Sequence, residues 1–144
     1  MPRTPTMQAT PPWKVRTGYA LSGVVALFLL SDAIMKLMQI PIVLETTAEL
    51  GWPVGSVVPL GIVLLLATGL YVFPRTSMLG AILLTGYLGG AVATHLRLQS
   101  PLFSHTLFGV YLGIAAWAGL YLRDPRLRAL LPLAIRPPSV QAGP

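Results

Sequence analysis

The chain contains no cysteine, which excludes disulfides, thiolate metal sites and thiol nucleophiles built from its own residues. Acidic residues are scarce too: four in 144, so few carboxylates are available to a metal ion. The two histidines stand ten residues apart, which is no ligand spacing, and no metal site is expected. Charge of either sign is thin, at 10% of residues against about 25% in soluble domains. The sequence also lacks a P-loop, a dinucleotide fingerprint and a nucleophile triad. Although the net charge is +6, no basic stripe interleaved with aromatics occurs, so nucleic acid is not an expected partner.

What fills the chain instead is apolar. The sequence is 54% hydrophobic with a mean hydropathy of +0.72, a membrane composition, and leaves no room for a separate soluble domain. A bilayer core of about 30 Å needs roughly 20 apolar residues per helix. Four stretches meet this, at residues 16–37, 54–73, 78–97 and 103–122. The expected fold is therefore all-α: an antiparallel four-transmembrane-helix bundle in the lipid bilayer. The short Pro74-Arg75-Thr76 link forces the second and third spans into a hairpin. Residues 42–50, with Glu45 and Glu49 on one face, predict a short helix that caps the outer end between spans one and two.

Lysine and arginine set the orientation. Arg3, Lys14, Arg16, Arg75, Arg123, Arg126, Arg128 and Arg136 fall on one side, against Lys36 and Arg97 on the other. The positive-inside rule then predicts both termini in the cytoplasm, in a bacterial inner membrane. Trp13, Tyr71, Trp117 and Tyr121 suit an inner aromatic belt, and Trp52 and Phe103 an outer one. A signal peptide is the rival reading of the first span, with Ser31-Asp32-Ala33 as its cleavage site. Apolar character resumes through Ile34, Met35, Leu37 and Met38, which favours a retained span. Residues 1–14 read as a flexible cytoplasmic arm and 15–123 as the membrane domain. Residues 124–144 read as an interfacial helix (125–133) followed by a flexible tail.

Helices in lipid associate through small residues. Gly86 and Gly90, continued by Ala93, and Gly109 and Gly113 predict tight pairing of the third and fourth spans. Gly86 and Gly90 could equally join two copies in a homo-oligomer. Gly18 and Ser22 form a weaker pair, and Pro59 is placed to kink the second span.

Ionisable residues gather at the outer end. Asp32 and Lys36 lie one helical turn apart, about 40° around the axis, close enough to pair. They are either a structural lock or part of a ligand site. His95 and Arg97 project about 160° apart. Arg97 continues the Gly86–Gly90–Ala93 face and is expected either to point at a neighbouring helix, pairing with Asp32, Glu45 or Glu49 or holding an anion, or to snorkel to the interface. His95 continues Leu88 and Ala91, and reaches the same site only if the helix unwinds near Thr94. His95 and His105 are either proton-transfer groups or neutral interfacial residues. Thr68, Thr85 and Thr94 are expected to bond their own helix backbones.

Several segments resemble the DoxX-like family of small four-span membrane proteins. They are SGVVALFLLSDAIMK (residues 22–36), Leu50-Gly51-Trp52-Pro53, Pro74-Arg75-Thr76, LGAILLTGYLGGAVATHLR (residues 79–97) and the run from His105 through Tyr111 to Arg123. The resemblance spans residues 15–132 and implies a four-helix bundle with an outer site at Asp32, Lys36, His95 and Arg97. The wider grouping includes a subunit of quinone-linked thiosulfate oxidation and proteins of methylamine utilisation. It thereby suggests redox-complex partners and quinone as the one cofactor to consider. Three readings follow. The first is an accessory bundle binding a small molecule in an outer polar pocket. The second is an oxidoreductase subunit acting on a quinone or small sulfur compound, and the third is a scaffold without ligand.

Overall fold

The computed structural model describes residues 10–131. Most of the expected arm and part of the expected tail lie outside the described residues. Within them every regular element is helical: α1 (Pro12–Leu37), α2 (Pro41–Glu49), α3 (Val57–Val72), α4 (Ser77–Arg97), α5 (Phe108–Arg123) and α6 (Pro125–Leu130). A 3₁₀ turn, Val54–Ser56, leads into α3, and a π-helical turn, Leu102–Thr106, leads into α5. With these turns, four helices are long and apolar enough to cross a membrane. The expected outer cap is α2, and α1 begins at Pro12, inside the expected arm.

The helices form a ring in chain order. α1 packs between α3 and α5, and α4 packs between the same two from the opposite corner. Each helix buries a stripe at three- and four-residue spacing: Val25, Leu29 and Ala33 on α1, Leu64, Ala67 and Tyr71 on α3, Ala81, Leu84 and Leu88 on α4, Ala116 and Leu120 on α5. Large apolar side chains such as Leu27, Leu66, Ile82 and Ile114 remain exposed on the outside, as a lipid-facing surface requires.

Both helices of one direction stop in the same way. At the end of α1, Gln39 takes φ 51° and Ile40 N–H reaches back to Met35 O; at the end of α4, Gln99 takes φ 52° and Ser100 N–H reaches His95 O. A left-handed residue with this six-residue return bond satisfies the last carbonyls of a helix. A proline follows two residues on in each case, at Pro41 and Pro101. Pro59 produces no interior break, because it falls in the first turn of α3, where helix N–H groups have no partner to lose.

Glycine makes the closest seams, but only one of the expected four makes one. A Cβ on Gly80 would collide with the backbone of Tyr71, so only glycine lets α3 and α4 approach there. A Cβ on Gly18 would sit 2.8 Å from Arg123 N, and one on Gly119 would sit 2.6 Å from Ser22 Oγ. The α1–α5 seam therefore rests on Gly18 and Ser22, the weaker pair in the sequence, together with Gly119. Gly109 touches α4 at Leu88 and Val92 as expected, whereas Gly113 lies 3.9 Å from Leu88 Cδ1, in ordinary contact. Gly86 and Gly90 face open space with nothing within 4 Å, which corrects their assignment to the α4–α5 seam.

Tyr71 is a further correction: it is fully buried rather than part of an interfacial belt. Its hydroxyl donates to Ala116 O (2.7 Å) and lies 3.0 Å from Ser22 Oγ, tying α3 to α1 and α5. Gly80→Ala is expected to destabilise the folded chain by about 1–3 kcal/mol, because packed backbone must part to admit the methyl. Gly86→Ala and Gly90→Ala should be neutral or stabilising. Thermal unfolding in detergent checks this ordering.

Candidate functional site

At the end of the bundle that carries α2, the helices border a half-open cavity of about 580 Å³. α1 contributes Phe28, Leu29, Asp32 and Lys36; α4 contributes Tyr87, Ala91, Thr94 and His95. His105 of the π-helical turn, with Phe108, Gly109 and Leu112 of α5, completes the wall, and α2 with Trp52 forms the roof. Gly86 and Gly90 line it as well. The open space beside these two glycines is therefore part of a cavity wall, a role their GxxxG spacing does not reveal.

Asp32 and Lys36 pair within this wall, with Lys36 Nζ 2.5 Å from the carboxylate. Lys36 is the more buried partner, its side chain 16% exposed against 28% for Asp32. Gly61 explains its position, because a Cβ there would lie 2.9 Å from Lys36 Cβ and push α1 from α3. This is the only ion pair among the described residues. An ammonium carries three donors, so two of its hydrogens are free of Asp32.

His95 rather than Arg97 lines the cavity, and Arg97 takes the second of its two expected places, at the interface. α4 continues unbroken through Arg97, and His95 lines the cavity without any unwinding. Arg97 is exposed and turns away from Asp32. Its Nη2 donates to Leu50 O (3.0 Å), at the C-terminus of α2. Gly51 accommodates this contact, at φ 75° and with space for a Cβ only 3.0 Å from Arg97 Nη2. Helical phase separates the two residues correctly, and the inward face is the one shared by Leu88, Ala91 and His95. Glu45 and Glu49 pair with no cation among the described residues.

The chain turn brings the two histidines together. His95 and His105 have ring centroids 6.1 Å apart, the first half-buried and the second exposed. Ser100 Oγ lies 3.2 Å from His95 Nδ1, and Ser104 Oγ lies 2.8 Å from His105 Nδ1. Gln99 reverses the chain after α4, and the π-helical turn, with Thr106 N–H to Pro101 O and Leu107 N–H to Leu102 O, sets the direction of His105.

Two indoles fasten α4 to its neighbours, the first at the cavity and the second away from it. Trp52 Nε1 donates to Thr94 Oγ1 (3.4 Å) and Trp117 Nε1 to Thr85 Oγ1 (2.8 Å). Both threonines bond their own helix backbone as expected, to Gly90 O and Ala81 O. Thr68 does not: its hydroxyl is buried without a partner. Sequence reasoning missed Tyr87 and Trp52 as cavity residues. Tyr87 sits among the α4 glycines, and Trp52 read as an interfacial aromatic.

The profile of the DoxX-like family matches residues 20–119, more than half of the chain. The chain belongs to the DoxX-like family. No curated protein and no solved structure matches it. The matched stretch of this DoxX-like membrane protein contains Asp32, Lys36, His95, Arg97 and His105, and ends before Arg123. The described residues hold no group of three or more histidine, cysteine or acidic side chains placed to bind a metal ion.

The ion pair invites a direct test. Lys36→Met leaves a half-buried carboxylate unpaired and should cost about 1–3 kcal/mol of stability. The double variant Asp32→Asn/Lys36→Met should cost less than Lys36→Met alone, because no uncompensated charge remains. Chemical unfolding of the variants in detergent measures the difference.

Proposed function

We propose that this DoxX-like protein binds one small, mostly apolar molecule with a polar head, of the quinone class, in the α2-end cavity. The observation that carries the reading is the cavity itself. Its volume lies within the range of about 300–1,000 Å³ typical of small-molecule sites, and its walls are apolar around a few convergent polar groups. Lys36 can donate to a carbonyl oxygen while Asp32 holds it in place, and Tyr87 and His95 offer further hydrogen bonds. His105, at the surface and beside His95, gives protons a short way between water and the cavity. The role is that of a binding or accessory unit beside redox partners, and no bond-making step is assigned to the chain. Arg97 is left out of the ligand shell and holds α2 in place.

The same reading sets the basic end toward the cytoplasm and the cavity toward the other side, supported by the distribution of lysine and arginine. In this cysteine-free chain, Ser104→Cys should react with an impermeant maleimide added outside intact cells; no reaction, with labelling after lysis, would reverse the orientation.

Trp52 gives the binding test an internal reporter, since quinones quench indole fluorescence on contact. A short-chain benzoquinone should quench the purified protein saturably, and Trp52→Phe should remove the saturable part. Gly90→Leu, which fills open space in the wall, should weaken binding about tenfold or more. Linear quenching that ignores Gly90→Leu would contradict the proposal.

A further inference from the structure

The opposite end of the bundle holds a second pocket of about 200 Å³, where α5 turns into α6 beside the α3–α4 link. Tyr19, Pro74, Ser77 and Leu120 form its walls, and its charged residues are Arg123, Asp124 and Arg126. The three charged residues lie beyond the stretch that matches the family.

Arg123 is half-buried and has no counter-ion among the described residues. Its guanidinium lies 5.0 Å from the Tyr71 ring and 5.7 Å from the Tyr19 ring, and Nη2 donates to Tyr71 O at 2.7 Å. Nε is buried without an acceptor, and Nη1 makes no hydrogen bond among the described residues. The adjacent carboxylate is engaged otherwise: Asp124 Oδ1 accepts Arg126 N–H and caps α6. Two tyrosine faces offset part of the cost of a cation out of water, yet an unpaired, partly buried charge remains unfavourable. Lys14, Arg16, Arg75, Arg126 and Arg128 add positive charge at the same end. The missing component is an anion.

The position names its source. α5 ends at Arg123, so the pocket sits where a membrane-crossing helix leaves the hydrocarbon, at the depth of lipid phosphates. Leu130 is exposed just past it, on a helix that buries Leu127 beneath, so acyl chains have an apolar surface to follow. We propose that this pocket binds the phosphate group of one phospholipid, with Arg123 and Arg126 holding its oxygens and the acyl chains lying outside. The pocket is small enough for a headgroup phosphate and too small for a whole lipid. The proposal is independent of the ligand proposed for the α2-end cavity.

The test uses the full chain, delipidated in detergent, and follows thermal unfolding with three probes. Dioleoylphosphatidylglycerol should raise the melting temperature saturably; dioleoylglycerol and inorganic phosphate at the same concentration should not. The lipid shift should be largely lost in Arg123→Gln, which keeps a donor for Tyr71 O and removes the charge. Arg126→Ala, whose side chain makes no hydrogen bond within the described residues, should reduce it without disturbing the fold. An equal shift from dioleoylglycerol would show that the chains alone bind, and an equal shift from inorganic phosphate would show a free-anion site. Either result, or wild-type lipid response in Arg126→Ala, overturns the proposal.

Discussion

Hydrocarbon chains are as apolar as leucine, so a bundle in lipid gains little from hiding one apolar face against another. What holds this one together is backbone approach, and three glycines permit it near one end. Gly18 and Gly119 let α1 meet α5, and Gly80 lets α4 meet α3 over Tyr71. Toward the other end the α1–α5 seam changes character, with Phe28 meeting Phe108 edge-on at 5.4 Å between ring centroids. Two bulky rings replace backbone contact there. The cavity lies at that level, and α2 covers it.

Polar side chains follow the same division. At the tight end a buried tyrosine ties three helices through its hydroxyl, and Arg123 fixes the carbonyl of that tyrosine. At the open end Arg97 does a parallel task, fixing Leu50 O so that α2 and Trp52 stay over the cavity. Both arginines spend one donor on a backbone carbonyl outside their own helix. The ionisable groups that line the cavity are then the Asp32–Lys36 pair, Tyr87 and the two histidines. An ion pair in such a place is weak evidence for stability alone, since removing charges from water costs as much as their attraction returns. The pair leaves two ammonium hydrogens of Lys36 free of Asp32 where the walls are otherwise mostly apolar.

Much of this was legible in the sequence because length and charge act locally. Apolar runs near bilayer length marked the four spans, Pro74-Arg75-Thr76 marked the hairpin, and residues 42–50 marked the cap. The polar cluster was legible too, since Asp32, Lys36, His95 and His105 all line one cavity. What stayed hidden depends on which face of each helix meets which neighbour. The GxxxG spacing says that a surface is flat but does not say what lies against it, and Gly86 and Gly90, spaced as for a seam, border a void. The same ambiguity covers which of Arg97 and His95 turns inward. The approach of His95 to His105 required the left-handed Gln99 and the π-helical turn; Pro101 marks that the helix stops there, but no glycine marks the left-handed residue and nothing marks the π turn.

In the proposed function, the α2-end cavity, rather than the lipid-facing surface, receives the ligand. Photo-crosslinking with an azido-benzoquinone, with labelled peptides mapped by mass spectrometry, addresses it most directly. Label is expected on the cavity-lining stretches of α1 and α4, residues 28–36 and 86–95, displaced by excess unlabelled quinone. Label confined to outward residues such as Ile62, Leu66 and Ile82, and not displaced, would contradict it.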